Sequence, residues 1–228
     1  MNLRKFAVCI LFLLGLFLHA QNVYLSKVEK TNDNNDKYLF QIGKDVTNAE
    51  YLGEIDVIGY SDNDLAVFAN VYKKAKDIGA NSFAYQPIET IDGKIQPFNP
   101  ANYKIKLYYS SKEELSKPSD LVYIFSSSQK PQKISINKQE YVLQPRSFMS
   151  IKTIPGDTYV ISTKKLLGST IKISGQSGSS AQYFQMSSLR VRSNTYGEPG
   201  INLKSGDITV LDRSYGDFLR MIYTENQK

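Results

Sequence analysis

The chain has 228 residues, 41% apolar and 22% charged, with a net charge of +6, a single Cys (Cys9), a single His (His19) and no Trp. That length supports a core held by packing alone. Both Cys9 and His19 fall in the first 20 residues, so the other 208 offer no thiol nucleophile, disulfide, Ser-His-Asp triad or Cys/His zinc site.

The opening, MNLRKFAVCILFLLGLFLHA, places a basic end (Arg4, Lys5) before an apolar run from Phe6 to Leu18, followed by His19-Ala20. This is the layout of a secretory signal peptide cleaved after Ala20. The run is 13 residues long, and a helix needs about 20 to cross a bilayer. No later stretch is long enough, so no transmembrane segment is expected after cleavage. Cys9 sits ahead of most of the apolar run, the wrong order for a lipid anchor. Export without disulfides points to a bacterial envelope protein, periplasmic or extracellular and outer-membrane associated. Nucleic acid is not an expected partner there.

Charge divides the remainder. Residues 21–115 carry a net −3 and residues 116–228 a net +7. The change coincides with the polar, Pro-containing stretch Ser110–Asp120. The expected organisation is a cleaved signal peptide over 1–20, an α+β domain over 21–110, a linker over 111–120 and an antiparallel β-sandwich over 121–228.

In chain order, Val23–Val28 and Lys37–Ile42 read as strands, with turn chemistry in Thr31–Asp36 between them. Ala49–Tyr60 is apolar and β-branched, and its Gly53 marks a bulge or a close approach. A helix follows, N-capped by Asp62 or Asp64. Its apolar face is Leu65, Phe68, Ala69, Tyr72, Ala75 and Ile78, with Lys73, Lys74 and Lys76 in the last turns and a stop at Gly79. Ser82–Glu89 and Tyr103–Ser110 read as strands, and Asp92-Gly93 as a tight turn in their connection. The order β-β-β-α-β-β predicts a helix on one face of a sheet.

The second half carries short strands at near-regular spacing: 121–127, 133–136, 141–143, 147–153, 158–163, 170–174, 181–186 and 189–192. Turns are expected at Asn137-Lys138, Pro155-Gly156-Asp157 and 175–180. The tail from Ile208 to Tyr223 is apolar enough to pack back on this domain.

Two resemblances attach to these segments. Leu52-Gly53-Glu54-Ile55-x-Val57, followed by a helix closing on Lys73-Lys74-Ala75-x-x-Ile78-Gly79-Ala80-Asn81, resembles the small bacterial families typified by YbjQ and the envelope stress sensor RcsF. The resemblance spans about 35 residues and implies a small α/β module, often of the envelope. Heavy-metal binding and redox sensing, proposed for some relatives, do not carry over to a stretch without Cys or His. Val122-Tyr123-Ile124-Phe125, with Ser126 where Arg is usual, and Pro155-Gly156-Asp157-Thr158-Tyr159 resemble the opening and the centre of a family of unknown function related to bacterial immunoglobulin-like modules of the PEGA type, which this half is similar to. That implies an extracytoplasmic binding or spacer module.

Chemistry-bearing patterns are sparse. Asp33, Asp36, Asp62 and Asp64 are candidate calcium ligands but lack EF-hand spacing, and turn and cap chemistry accounts for them. S-x-x-K occurs at Ser127–Lys130, Ser135–Lys138 and Ser162–Lys165, on strands and turns rather than the helical turn a Ser-Lys pair needs. Glu54, Asp56, Glu89 and Asp120 are the carboxylates available for glycoside hydrolysis. Tyr and Phe are numerous enough to supply sugar-stacking surfaces, but core and sheet faces account for most of them. Arg190, Arg192, Lys164 and Lys165 form a possible anion contact. No cofactor is expected. The reading that results is a non-catalytic binding or adaptor module that engages an envelope protein or an anionic envelope polymer. The alternatives are a carboxylate hydrolase acting on an envelope glycan and a calcium-stabilised adhesin-like module.

Overall fold

The computed structural model describes residues 21–43, 48–164, 168–186 and 207–226, and 201–205 in backbone. The signal-peptide reading, the strand expected at 189–192, and Lys165, Arg190 and Arg192 lie outside the described residues. Among the described residues the architecture is α+β, strand-rich with one long helix.

The first sheet uses β1 (Asn22–Val28), β2 (Phe40–Gln41), β3 (Glu50–Ile58), β4 (Ser82–Gln86) and β5 (Asn102–Tyr109), in the order β1-β3-β5-β4-β2. All pairs are antiparallel except β2 with β4. The register shift at Tyr51/Gly53 is the irregularity expected at Gly53, and a separate shift lies at Leu25/Lys27 on β1. Between β3 and β4 runs α1 (Asp64–Asp77). Its N-cap is Asn63, whose side chain accepts from the Ala66 N–H, rather than either neighbouring aspartate. Asp64 is instead the first helical residue, and it is buried. The buried stripe also differs from the expected one. Val67, Phe68, Val71, Ala75 and Ile78 are buried, and Ala69 is exposed. Gly79, at φ +77, ends the helix as expected.

The linker contains the short α2 (Lys112–Leu115), N-capped by Ser111. Beyond it lie β6 (Leu121–Phe125), β7 (Gln132–Ile136), β8 (Gln139–Leu143), β9 (Ser147–Lys152), β10 (Thr158–Thr163), β11 (Thr170–Ser174), β12 (Gln182–Met186), β13 (Ile201–Ser205) and β14 (Ile208–Leu211). The chain closes with α3 (Arg213–Ile222) and β15 (Thr224–Glu225). These strands form a four-stranded sheet, β11-β10-β7-β8, and a six-stranded sheet, β13-β14-β12-β6-β9-β15. Asn137 and Lys138 both have positive φ, which turns β7 into β8 in two residues.

The six-stranded sheet is mixed rather than antiparallel, because β12 runs parallel to β6, and β15 to β9. It is also buried on both faces. Val122, Ile124, Met149, Ile151, Phe184 and Met186 share a cluster with Ile134, Ile161 and Ile173 of the four-stranded sheet. Tyr123, Phe125, Phe148 and Tyr183 face the other way, into a cluster that takes in α3, α1 and the first sheet. Burial on both faces explains why Leu-Val-Tyr-Ile-Phe does not alternate in polarity. The tail helix therefore packs on the first half of the chain as well as the second.

Candidate functional site

The junction between the halves holds two buried carboxylates, Asp64 and Asp217. On α3, Ser214 and Asp217 are one helical turn apart. On β2 and the residue before it, Leu39 and Gln41 are one strand repeat apart. The two periods match across the gap. The Leu39 N–H donates to Ser214 Oγ (3.2 Å) and the Gln41 N–H to Asp217 Oδ2 (3.2 Å). In this way α3 satisfies the outer edge of a terminal strand with side chains. Asp217 Oδ1 accepts from the Tyr183 hydroxyl at 2.6 Å, and Arg213 and Arg220 stand 3.6 and 3.8 Å away. Arg220 also donates to Gln41 Oε1 (2.9 Å) and to the Tyr123 hydroxyl (2.9 Å). Arg213 stacks on Phe40 with its guanidinium 3.9 Å from the ring centre.

The second acid sits at the start of α1. Asp64 Oδ1 accepts from Arg146 Nη2 at 2.7 Å, and Oδ2 from the Tyr223 hydroxyl at 2.8 Å. Arg146 also donates to the Ser61 carbonyl and lies over Tyr60. It occupies the turn between β8 and β9 at φ +53, a conformation that costs a non-Gly residue energy. Its Nε is buried without a hydrogen-bond partner. Burial pushes the Asp64 carboxyl up to about 6, against the opposing pull of Arg146 and the Tyr223 hydroxyl. Burial likewise raises Asp217, against Arg220, Tyr183, Arg213 and the Gln41 N–H. A cleft of about 240 Å³ lined by Gln41, Gly43, Glu114, Lys117 and Arg213 opens beside the Asp217 side of the junction.

The outer face of the four-stranded sheet is a different surface. Ile134 and Ile136, Ile161, and Ile171 and Ile173 point into the core. Strand alternation therefore turns Lys133 and Ser135 away from that core on β7, Ser162 and Lys164 on and just after β10, and Thr170 and Lys172 on β11, although Ser135 is buried there and Ser162 is half-buried. The register lines up Glu140, Ser135, Ser162 and Thr170 in one row across all four strands. The Ser135 and Ser162 hydroxyls are 2.8 Å apart. Lys164 bonds through its N–H to the Lys133 carbonyl, so these two lysines form the next row. Lys164 pairs with Glu140 at 2.9 Å. Lys172 stands opposite Val160 in the row on the other side.

The remaining sequence candidates are dispersed. Asp36 pairs with Lys76 and accepts from Asn81, while Asp62 accepts from Gln129 across the junction. Among the described residues no cluster of acids could hold a metal ion. Glu54 and Asp56 lie on the open face of the first sheet, where Tyr51 bonds Glu54 and Lys104 bonds Asp56. Glu89 lies in the β4–β5 connection, and Asp120 receives Ser179. Ser127 is bonded to the Lys130 backbone and Ser135 to Ser162, not to lysine amines. Sequence reasoning singled out none of Asp217, Arg146 and Arg220. Asp217, four residues after Arg213 and three before Arg220 on a helical spacing, was the available signal. Among the described residues no helix is long and apolar enough to cross a membrane. Comparison with protein-family models, curated proteins and solved structures finds no match.

Proposed function

We propose that the chain is an exported bacterial envelope protein that acts as a non-catalytic binding module, and that it engages an anionic envelope polymer through the outer face of the four-stranded sheet. In this reading the two sheets of the second half form a sandwich of the PEGA-like kind, and the first half is a small envelope-type α/β module. The supporting observation is the composition of that face. The half-buried Ser162 and the exposed Thr170, next to the buried Ser135 in the same row, are bracketed by exposed Lys133 and Lys164 on one side and Lys172 on the other, with Glu140, paired to Lys164, the acid among them. Successive outward positions on a strand lie about 6.6 Å apart. The lysine rows therefore flank the hydroxyls at a spacing suited to a flat, extended chain bearing repeated negative charge, and charge complementarity selects the partner.

The test is retention of the protein on immobilised polygalacturonate over a salt series. The expected result is retention at low salt, lost as salt rises, and a drop of at least tenfold in affinity for the Lys133→Glu, Lys164→Glu double variant. Absence of retention at low salt, or equal retention of the double variant, would overturn the assignment.

A further inference from the structure

The two buried carboxylates come one from each half, and each bonds the opposite half. Asp64, from the first half, holds Arg146 and Tyr223 of the second. Asp217, from the second, holds the Gln41 N–H of the first. Other direct bonds cross the same seam, from Leu39 to Ser214, from Arg220 to Gln41, and from Ser128 and Gln129 to Asp62. Prising the halves apart would return both acids to water.

We propose that this junction is a proton-controlled clasp, in which Asp64 and Asp217 hold the two halves together more firmly when protonated and let them part more readily once ionised.

The groups facing Asp64 are Arg146 from the β8–β9 turn, Tyr223 and Tyr215 from α3 and its end, Tyr103 from β5 and Asp62 from its own loop. Those facing Asp217 are Tyr183 from β12, Arg213 and Arg220 from α3, and the Gln41 N–H from β2. The tyrosines Tyr103, Tyr183, Tyr215 and Tyr223 are all raised above their ordinary value, first by burial, so they stay neutral donors throughout. The arginines stay charged. The two carboxylates are thus the groups that change state. Ionised and buried, each carries a desolvation cost that its arginines offset only in part. Protonated, each loses that cost, and this gain outweighs the weakened pairing with its arginines.

The sign follows from proton binding. The closed clasp keeps a proton on Asp64 up to about pH 6, whereas an opened, hydrated Asp64 releases it near the ordinary value of about 4. Between those values the closed form binds the extra proton. Opening should therefore grow about tenfold per pH unit across that window from Asp64 alone and level off above it, and Asp217, also raised, adds to the slope. An exported protein meets the pH of its surroundings directly, so the clasp would loosen on moving from acid to neutral medium.

The experiment is amide hydrogen exchange on the intact protein from about pH 4 to pH 8, corrected for intrinsic exchange. The amides of Leu39 and Gln41 are read, since their acceptors lie across the seam. The β10 amides, inside the four-stranded sheet, report unfolding of the second half. The expected result is a rise of about tenfold or more per pH unit in the opening constant at Leu39 and Gln41 below about pH 6, steeper than at β10. Asp64→Asn should make the rise shallower and leave the part that Asp217 supplies. Tyr223→Phe keeps all charges and removes a bond that favours the ionised form, so it should move the levelling point to higher pH. Profiles at Leu39 and Gln41 that coincide with those of β10, or a rise unchanged in Asp64→Asn, would overturn the clasp.

Discussion

The Asp64 carboxylate and the Arg146 guanidinium meet at 2.7 Å across 82 residues of chain, one at the first turn of α1 and the other in the turn entering β9. Neither residue is satisfied by its own element. Arg146 bonds to the Ser61 carbonyl and to Asp64, both on the far side of the junction. Asp64 takes its second bond from Tyr223, at the end of α3. Three distant segments are thereby fixed at one point.

Removing one partner leaves the other charge buried and unpaired, which is the costly case. Arg146→Leu should lower unfolding stability by about 3–5 kcal/mol in a denaturant titration. The double variant Asp64→Asn, Arg146→Leu should lose less than Arg146→Leu alone. A double-mutant cycle that gives no coupling between the two positions would refute the pairing.

Stability should be greatest in mildly acidic solution. Burial raises Asp64 and Asp217, so each contributes stability that grows as pH falls through its folded value, about 6 for Asp64. Asp36 behaves oppositely. Burial tends to raise it, but Asn81, the Tyr38 N–H and Lys76 overcome that and hold it below the ordinary value, so its contribution disappears as pH falls further. Thermal unfolding at a series of pH values should show Tm rising from pH 7.5 towards pH 5 and falling below about pH 4. A Tm that declines steadily from neutral pH downwards would contradict this.

Gly216 lies on α3 where a Cβ would sit 2.2 Å from the Tyr183 ring. Tyr183 is itself held by Asp217 and stacked on Tyr123 at 5.2 Å. Gly216→Ala must displace either the ring or the helix. A loss of about 1–3 kcal/mol is expected despite the better helix propensity of Ala. Equal or greater stability of the variant would show that α3 is not seated as described.

Ser214→Ala removes the acceptor of the Leu39 N–H while leaving α3 intact. A buried donor without a partner costs about 1–3 kcal/mol. Faster exchange at Leu39 than at the β10 amides is the expected signature, and unchanged protection at Leu39 would contradict the bond.

Much of the local structure was legible. The helix ending at Gly79, the irregularity at Gly53, the two-residue turn at Asn137-Lys138 and the turn at Asp92-Gly93 each follow from conformational demands that one or two residues satisfy by themselves. Val67 and Val71 were passed over in favour of Ala69, because both stripes repeat at helical spacing and only the packing of α3 and β1 against α1 selects between them. The lysines of the second half are spread along the chain. Sheet register brings Lys133 and Lys164 side by side, since residues 31 positions apart become cross-strand neighbours.

The sequence by itself determined the class of the fold, the strand-rich second half, the charge division and the absence of Cys and His after residue 19. These depend on composition, on period and on turn chemistry, all of which act over a few residues. Only the tertiary structure decided that the tail helix would seal the edge of β2, that the six-stranded sheet would be covered on both faces, and that Asp64 and Asp217 would be buried at one seam. Those outcomes depend on which surfaces meet after more than 150 residues of intervening chain. Burial and long-range pairing, rather than any local preference of Asp or Arg, set the chemistry there.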